Sequence, residues 1–209
     1  MSGSVRRRVI VGLLAGCVVS RLMAAPSDMA DQVRKRLVDA PVLRGEFEQR
    51  KTVRGFKHAL VSRGDFLVAK ARGVVWHTRE PFASTLVITR ERLLARRADG
   101  QPEQSIDTRD EPALRAVNEM LFALMSADLG TLASRFHIEG ELVGAGGWRL
   151  GLVPRDAALA HWIKRIDLEG DNHVRSVRLQ EAQGDTSVIR LSAQVPSTAL
   201  THEEAARFE

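Results

Sequence analysis

Hydrophobic and polar residues trade places every second position through much of this 209-residue chain, and two helical stretches interrupt the rhythm. The alternation starts at Val42. In LRGEFEQRKT, Leu43, Gly45, Phe47, Gln49 and Lys51 share one face, while Arg44, Glu46, Glu48 and Arg50 form a charged one. ALVSRGDFLVAK follows, with Leu60, Phe66 and Val68 on one side. GVVWHT sets Val74 and Trp76 against Val75 and His77. STLVIT, carrying Leu86 and Ile88, and RLLARRA complete a first set of about five strands. A period of two with one apolar face is the mark of half-buried antiparallel strands. Val53-Arg54-Gly55 and Ala98-Asp99-Gly100 supply turns between them.

Ahead of the strands, Met29, Val33 and Leu37 recur at i, i+4 and i+8 with Arg34, Lys35 and Arg36 between them. This predicts an amphipathic helix, which Pro41 ends. A second helical stretch opens at Asp110-Glu111-Pro112, acids and a proline being favoured in a first turn. Leu114, Val117, Leu121 and Leu124 line it, and Met120, Phe122 and Met125 widen the apolar face. Asp128 starts a shorter helix with Leu129 and Leu132. Five more strands follow: RFHIEGELVG, WRLGLVP, AHWIKRIDLEG, HVRSVRLQEA and TSVIRLSAQV. Ala145-Gly146-Gly147 and Gln183-Gly184-Asp185 mark hairpin turns.

About ten antiparallel strands with one apolar face must cover that face, by curling into a barrel or by taking helices against it. The expected class is therefore mainly β with a helical lid, an α+β fold. The two helical segments suffice to cap a curved sheet but not to fill it, so the space between is either packed core or an apolar pocket. Trp76, Trp148, Trp162, Phe47, Phe66 and Phe82 supply aromatic area, and Met120 and Met125 are adaptable fillers.

Composition narrows the setting. Arg6, Arg7 and Arg8 precede an apolar run from Val9 to Gly16, which Arg21 breaks well short of the ~20 residues of a membrane span. Residues 1–25 read as an export signal. Two cuts compete: one after Ala24-Ala25, releasing a free domain over residues 26–209, and one before Cys17, where Leu14-Ala15-Gly16-Cys17 has the form of a bacterial lipobox. The second would place a lipid on that sulfur. Cys17 is the chain's single cysteine, so neither disulfide nor thiolate metal site is open to the mature domain. The formal charge of +5 is largely the signal's. Four arginines and no acid lie in the first 25 residues, leaving 27 basic side chains against 26 acidic ones. So even a balance argues against nucleic acid as the partner.

Catalytic signals are thin. The histidines at 58, 77, 137, 161, 173 and 202 are scattered without metal-ligand spacing, and there is no G-x-S-x-G elbow. Val143-Gly144-Ala145-Gly146-Gly147 lacks the spacing of a dinucleotide loop. No enzyme and no cofactor are expected.

Phe47-x-Gln49-x-Lys51, Ser62-x-Gly64-x-Phe66-x-Val68, Gly73-x-x-Trp76 and Pro81-Phe82 carry a resemblance. Together they resemble the LolA family of periplasmic lipoprotein carriers, and in particular a divergent LolA-like branch encoded beside glycolipid and aryl-polyene biosynthesis genes. The resemblance implies an incomplete antiparallel barrel closed by a helical lid over an apolar cavity. It implies cargo of acylated lipoprotein or lipid, an inner-membrane exporter as donor and an outer-membrane acceptor, with the protein a periplasmic monomer. Phe47, Phe66, Val68, Trp76, Leu86 and Ile88 would line the cavity, and Leu114, Val117, Met120, Leu121 and Leu124 would face it from the lid. In the best-known carriers an arginine just before the tryptophan strand helps hold the lid closed. Lys70 occupies that place here, with Arg72 two residues on, and a lysine lacks the planar fork of donors. With Cys17 lipidated, the same fold would serve as an anchored acceptor resembling LolB. A third reading is an envelope sensor that binds lipid without moving it.

Overall fold

The computed structural model describes residues 26–89, 92–97, 104–107, 119, 122–123 and 126–208. Helix α1 (Pro26–Arg34) precedes six strands: β1 (Val42–Thr52), β2 (Leu60–Ala69), β3 (Gly73–Glu80), β4 (Ser84–Ile88), β5 (Arg92–Arg97) and β6 (Gln104–Asp107). Helix α2 (Leu129–Arg135) leads into β7 (Phe136–Val143) and β8 (Gly147–Pro154). The short α3 (Ala157–Ala160), then β9 (Ile163–Gly170), β10 (Val174–Glu181), β11 (Thr186–Ser197) and α4 (His202–Ala206) complete the chain.

The eleven strands form one antiparallel sheet in the order β6-β5-β4-β3-β2-β1-β11-β10-β9-β8-β7. Two meanders meet at its centre, where β1 pairs with β11. Strands β6 and β7 are edges that do not pair with each other, so the sheet is open. The mainly β class is the one the alternation predicts, and the incomplete closure is what the family resemblance implies, with one strand more than expected.

Cross-strand partners show which residues share a face. On the inner face, Leu43 opposes Val68, Val68 opposes Val74 and Val74 opposes Ile88. The same face runs on through Ile189, Val177, Leu168 and Leu150. Helices α1 and α2 lie over the β7 side of it. Val33 and Leu132, with Phe136, Trp148, Leu152 and Ile166, make a core in which each is 1% exposed or less. Asp128 caps α2 by accepting the Thr131 N–H at 3.1 Å.

Four sequence expectations need correction. Helix α1 ends at Arg34, well before Pro41, though Leu37 still packs on the core. The sheet does not have a single apolar face. Leu67, Val75, Val87 and Leu94 are buried on the outer face, under Phe208 and Leu200 of the C-terminal segment. Alternation hides such a patch, because a strand buried on both faces reads as a short apolar run. Leu60, grouped with Phe66 and Val68, lies exposed at the β1–β2 hairpin. Finally, Phe82 is 83% exposed and Trp162 54%, so neither belongs to the aromatic core. They sit in turns at one end of the sheet, where alternation no longer dictates orientation.

The C-terminal segment, which strand alternation does not foretell, is strapped down by three arginines. Arg44 forms a two-pronged pair with Glu204 (Nε–Oε1 2.5 Å, Nη2–Oε2 2.6 Å). Arg72 donates to the Ala205 carbonyl at 3.1 Å, and Arg92 to the Phe208 carbonyl at 3.0 Å. Thr201 and Glu204 form a capping box at the start of α4.

Candidate functional site

The inner face of β1, β2 and β3 carries an aromatic stack that the local sequence explains. Phe47 faces Gly64 across the β1–β2 ladder, and Phe66 faces Trp76 across β2–β3. Because Gly64 has no side chain, the Phe47 ring lies over it and stacks on Trp76, centroids 3.8 Å apart at 24°. A Cβ at Gly64 would come within 2.8 Å of that ring. Phe66 continues the stack at 6.0 Å from Trp76. Gly45 does the same for the next ring along the ladder: a Cβ there would press on Phe66 at 2.5 Å. The two glycines are thus packing devices, the gap at Gly64 seating the Phe47 ring and the gap at Gly45 seating the Phe66 ring.

Beyond the stack the sheet and its cover separate. A cavity of about 440 Å³ lies between the filled β7 side and the aromatic β2 side. That volume falls within the ~300–1,000 Å³ of small-molecule sites. Leu43, Phe66, Val68, Phe122, Leu129, Val177 and Leu191 contribute apolar wall. Arg34, Asp39, Lys70, Asp128, Asn172, His173 and Gln194 contribute polar atoms. Lys70 hydrogen-bonds Asp39, and that bond, with Arg34 adding a smaller pull, holds the Asp39 carboxyl below the usual range. His173 is 8% exposed, and burial in the first place, then the nearby Arg175, pushes its pKa down. Its ring is therefore neutral at physiological pH.

Of the residues singled out by sequence, Phe66, Val68 and Lys70 border the cavity directly. Trp76, Leu86 and Ile88 pack with Phe66 and Val68 in one cluster, and Phe47 joins them through its stack on Trp76. Arg72 lies elsewhere, on the C-terminal strap. His77 is half-exposed on the outer face, its Nδ1 3.0 Å from Asp65 Oδ2. Leu114, Val117, Met120, Leu121, Leu124 and Cys17 fall outside the described residues. Their neighbours Phe122 and Ala123 are described, and they bridge the two halves: Phe122 packs with Phe66 and Val68, Ala123 with the core around Trp148. Glu119 pairs with Arg135 at 2.7 Å.

Sequence reading missed Leu43, Leu129, Val177, Leu191 and His173 as cavity residues. For Leu43 and Leu191 the signal was present, since Leu43 opposes Val68 and Leu191 opposes Phe47. The strand order needed to use it was not.

Residues 23–208 match a family described as outer membrane lipoprotein carrier protein LolA-like. The chain belongs to that family. Its members are carriers, and this LolA-like chain is a binding protein rather than an enzyme. No curated protein matches it in sequence. Among solved structures, a DUF1329 family protein from Desulfovibrio piger superposes with a TM-score of 0.53 at 12% identity, covering 90% of this chain and 97% of that one. A LolA superfamily protein from Nitrosomonas europaea gives 0.48 at 9% identity, covering 85% and 96%. MucB in complex with MucA, from Pseudomonas aeruginosa, gives 0.47 at 14% identity, covering 86% of this chain and 60% of that one. No helix among the described residues of the LolA-like chain is long and apolar enough to cross a membrane.

Proposed function

We propose that this protein is a periplasmic carrier that shelters the acyl chains of lipoproteins or lipids in its cavity and delivers them toward the outer membrane. One observation carries the reading. In a chain of the LolA-like family, the inner sheet face is packed on one side and left hollow on the other, with Leu43, Phe66, Val68 and Leu191 on the hollow. Each methylene moved from water into such a space gains ~0.8 kcal/mol, so a single chain binds firmly. Release then requires a competing closed state. The segment around Leu114, Val117, Met120, Leu121 and Leu124 is the natural lid, because its described neighbours Phe122 and Ala123 already span the two halves. Lid contacts made in the empty protein must be given up to cargo, which lowers net affinity to a level compatible with hand-over. Lys70 and its partner Asp39 sit at the rim, where lid and cargo head group would meet. Residues 1–25 direct export, donor and acceptor being an inner-membrane exporter and an outer-membrane receptor.

The Leu14-Ala15-Gly16-Cys17 sequence supports a second reading, an anchored outer-membrane acceptor. Intact mass of protein purified from a Gram-negative envelope separates them. A chain beginning near residue 26, with acyl species lost on denaturation, is the result expected of a shuttle. A chain beginning at Cys17 with covalent diacylglyceryl and acyl groups makes it the anchored acceptor. Absence of any co-purifying lipid contradicts both.

A further inference from the structure

We propose that the cavity takes acyl chains that end in an anionic head group, a carboxylate or a phosphate, and that Arg34 and Lys70 hold that head at its mouth. The inference rests on the carrier reading and adds what the cavity asks of its cargo.

The mouth is built from the stretch between α1 and β1. Arg34 is the last residue of α1, and Leu37 packs on the core beyond it. From there the chain is pinned on two sides. The Val38 N–H donates to the Asn172 carbonyl at 2.9 Å, in the turn between β9 and β10. The Lys70 N–H, just past β2, donates to the Pro41 carbonyl at 3.0 Å. Asp39 lies between these ties, and Arg34, Asp39 and Lys70 all border the cavity. Charged and apolar lining are segregated. Those three residues are exposed, whereas Phe66, Val68, Leu129 and Val177 are buried. The hollow is therefore amphipathic, with apolar walls inside and charge where it meets water.

The balance of that charge is positive. Asp128 also borders the cavity, but it spends both oxygens on α2, accepting the Thr131 N–H at 3.1 Å and the Thr131 hydroxyl at 2.8 Å. Asp39 accepts from Lys70, and Arg34 adds a smaller pull on the same carboxyl. Two cations against one carboxylate leave one positive charge. Arg34 makes no hydrogen bond or ion pair of its own among the described residues. An exposed guanidinium at the edge of an apolar hollow, its donors unspent, matches the paired oxygens of a carboxylate or a phosphate. Lys70 can join it readily, because the Asp39 side chain is 92% exposed and an ion pair in water contributes little. Asp39 then turns to solvent and the cargo head takes its place. Gln194 borders the same space, and its amide keeps a second N–H after donating one to the Val174 carbonyl at 2.7 Å.

The test uses the mature chain loaded with a fluorescent apolar dye at low salt, displaced by four twelve-carbon compounds that differ at the head. They are dodecanoate, dodecyl phosphate, dodecan-1-ol and dodecyltrimethylammonium. We expect at least one anion to compete about tenfold better than the alcohol and the cation. The advantage should shrink as salt is added. Whichever anion leads identifies carboxylate or phosphate as the favoured head. The double variant R34Q/K70Q should erase the gap between anion and alcohol. Asp39→Asn should do the reverse and widen it about threefold, a gain that a purely structural role for these residues would not produce. An alcohol or a cation that competes as well as both anions overturns the inference and leaves the carrier reading standing. So does a preference that survives in R34Q/K70Q. Failure of all four compounds to displace the dye overturns the carrier reading itself.

Discussion

The two halves of this sheet solve the same problem in opposite ways. Under β7 to β9 the inner face is sealed, Trp148, Leu152 and Ile166 from the sheet and Leu132 from α2 all being fully buried. Under β1 to β5 the same face carries larger rings, stacked along the sheet, yet leaves a hollow beside Phe66 and Val68. One half is a foundation and the other a vessel. Among the described residues, α1 and α2 lie on the first half, while Phe122 and Ala123 reach across the boundary to the second.

Matched substitutions in the two halves should break the symmetry most visibly. Leu152→Ala opens a void in the sealed half and should cost about 2–5 kcal/mol of stability in urea unfolding. Leu191→Ala, whose side chain already borders empty space, has fewer contacts to lose and should cost about 1 kcal/mol. Equal losses would mean that the hollow is packed in solution. Gly45→Ala sharpens the contrast from within the vessel. The added methyl drives into the Phe66 ring, so a loss of about 1–3 kcal/mol should accompany a fall in acyl-chain binding measured by dye displacement.

A smaller effect lies on the outer face. Arg44, first of all, holds the Glu204 pKa down at about 2, against an ordinary 4.5. A depressed carboxyl pKa stabilises the fold above the unfolded value, and that gain is lost as pH falls through the folded one. Glu204→Gln should therefore cost about 1–2 kcal/mol at pH 7, less than the full shift because the pair lies at the surface. The deficit should fade between about pH 4.5 and 2, as followed by thermal melts across that range. Smallest of all is Lys70→Ala. Its pair with Asp39 is exposed, so the melting temperature should not move measurably. Dye-release kinetics should change if the rim contacts cargo or lid.

Much of this was written in the chain, and unevenly. Strand alternation disclosed the mainly β class, the hairpin turns at Gly55 and Gly184, and the inner positions of Phe47, Phe66, Val68 and Trp76. Asp128 read correctly as a helix start. The outer core escaped because Leu67 and Val75 are apolar on a face that alternation assigns to solvent, and their cover, Phe208, lies over a hundred residues away. Arg72 escaped for the same reason: a basic residue in a turn does not say which backbone carbonyl it will meet. His173 was one of six scattered histidines. Only three-dimensional placement, with Asn172 on one nitrogen and nothing on the other, sets it apart.

The central claim is that cargo enters the vessel and leaves the foundation untouched. Methyl-labelled leucine and valine spectra, recorded while tetradecanoic acid is titrated into the protein, test it most directly. The account predicts that the methyls of Leu43, Val68 and Leu191 shift and saturate together, while those of Leu132, Leu150 and Leu152 stay in place. Shifts spread equally over both groups, or none at all, would contradict it.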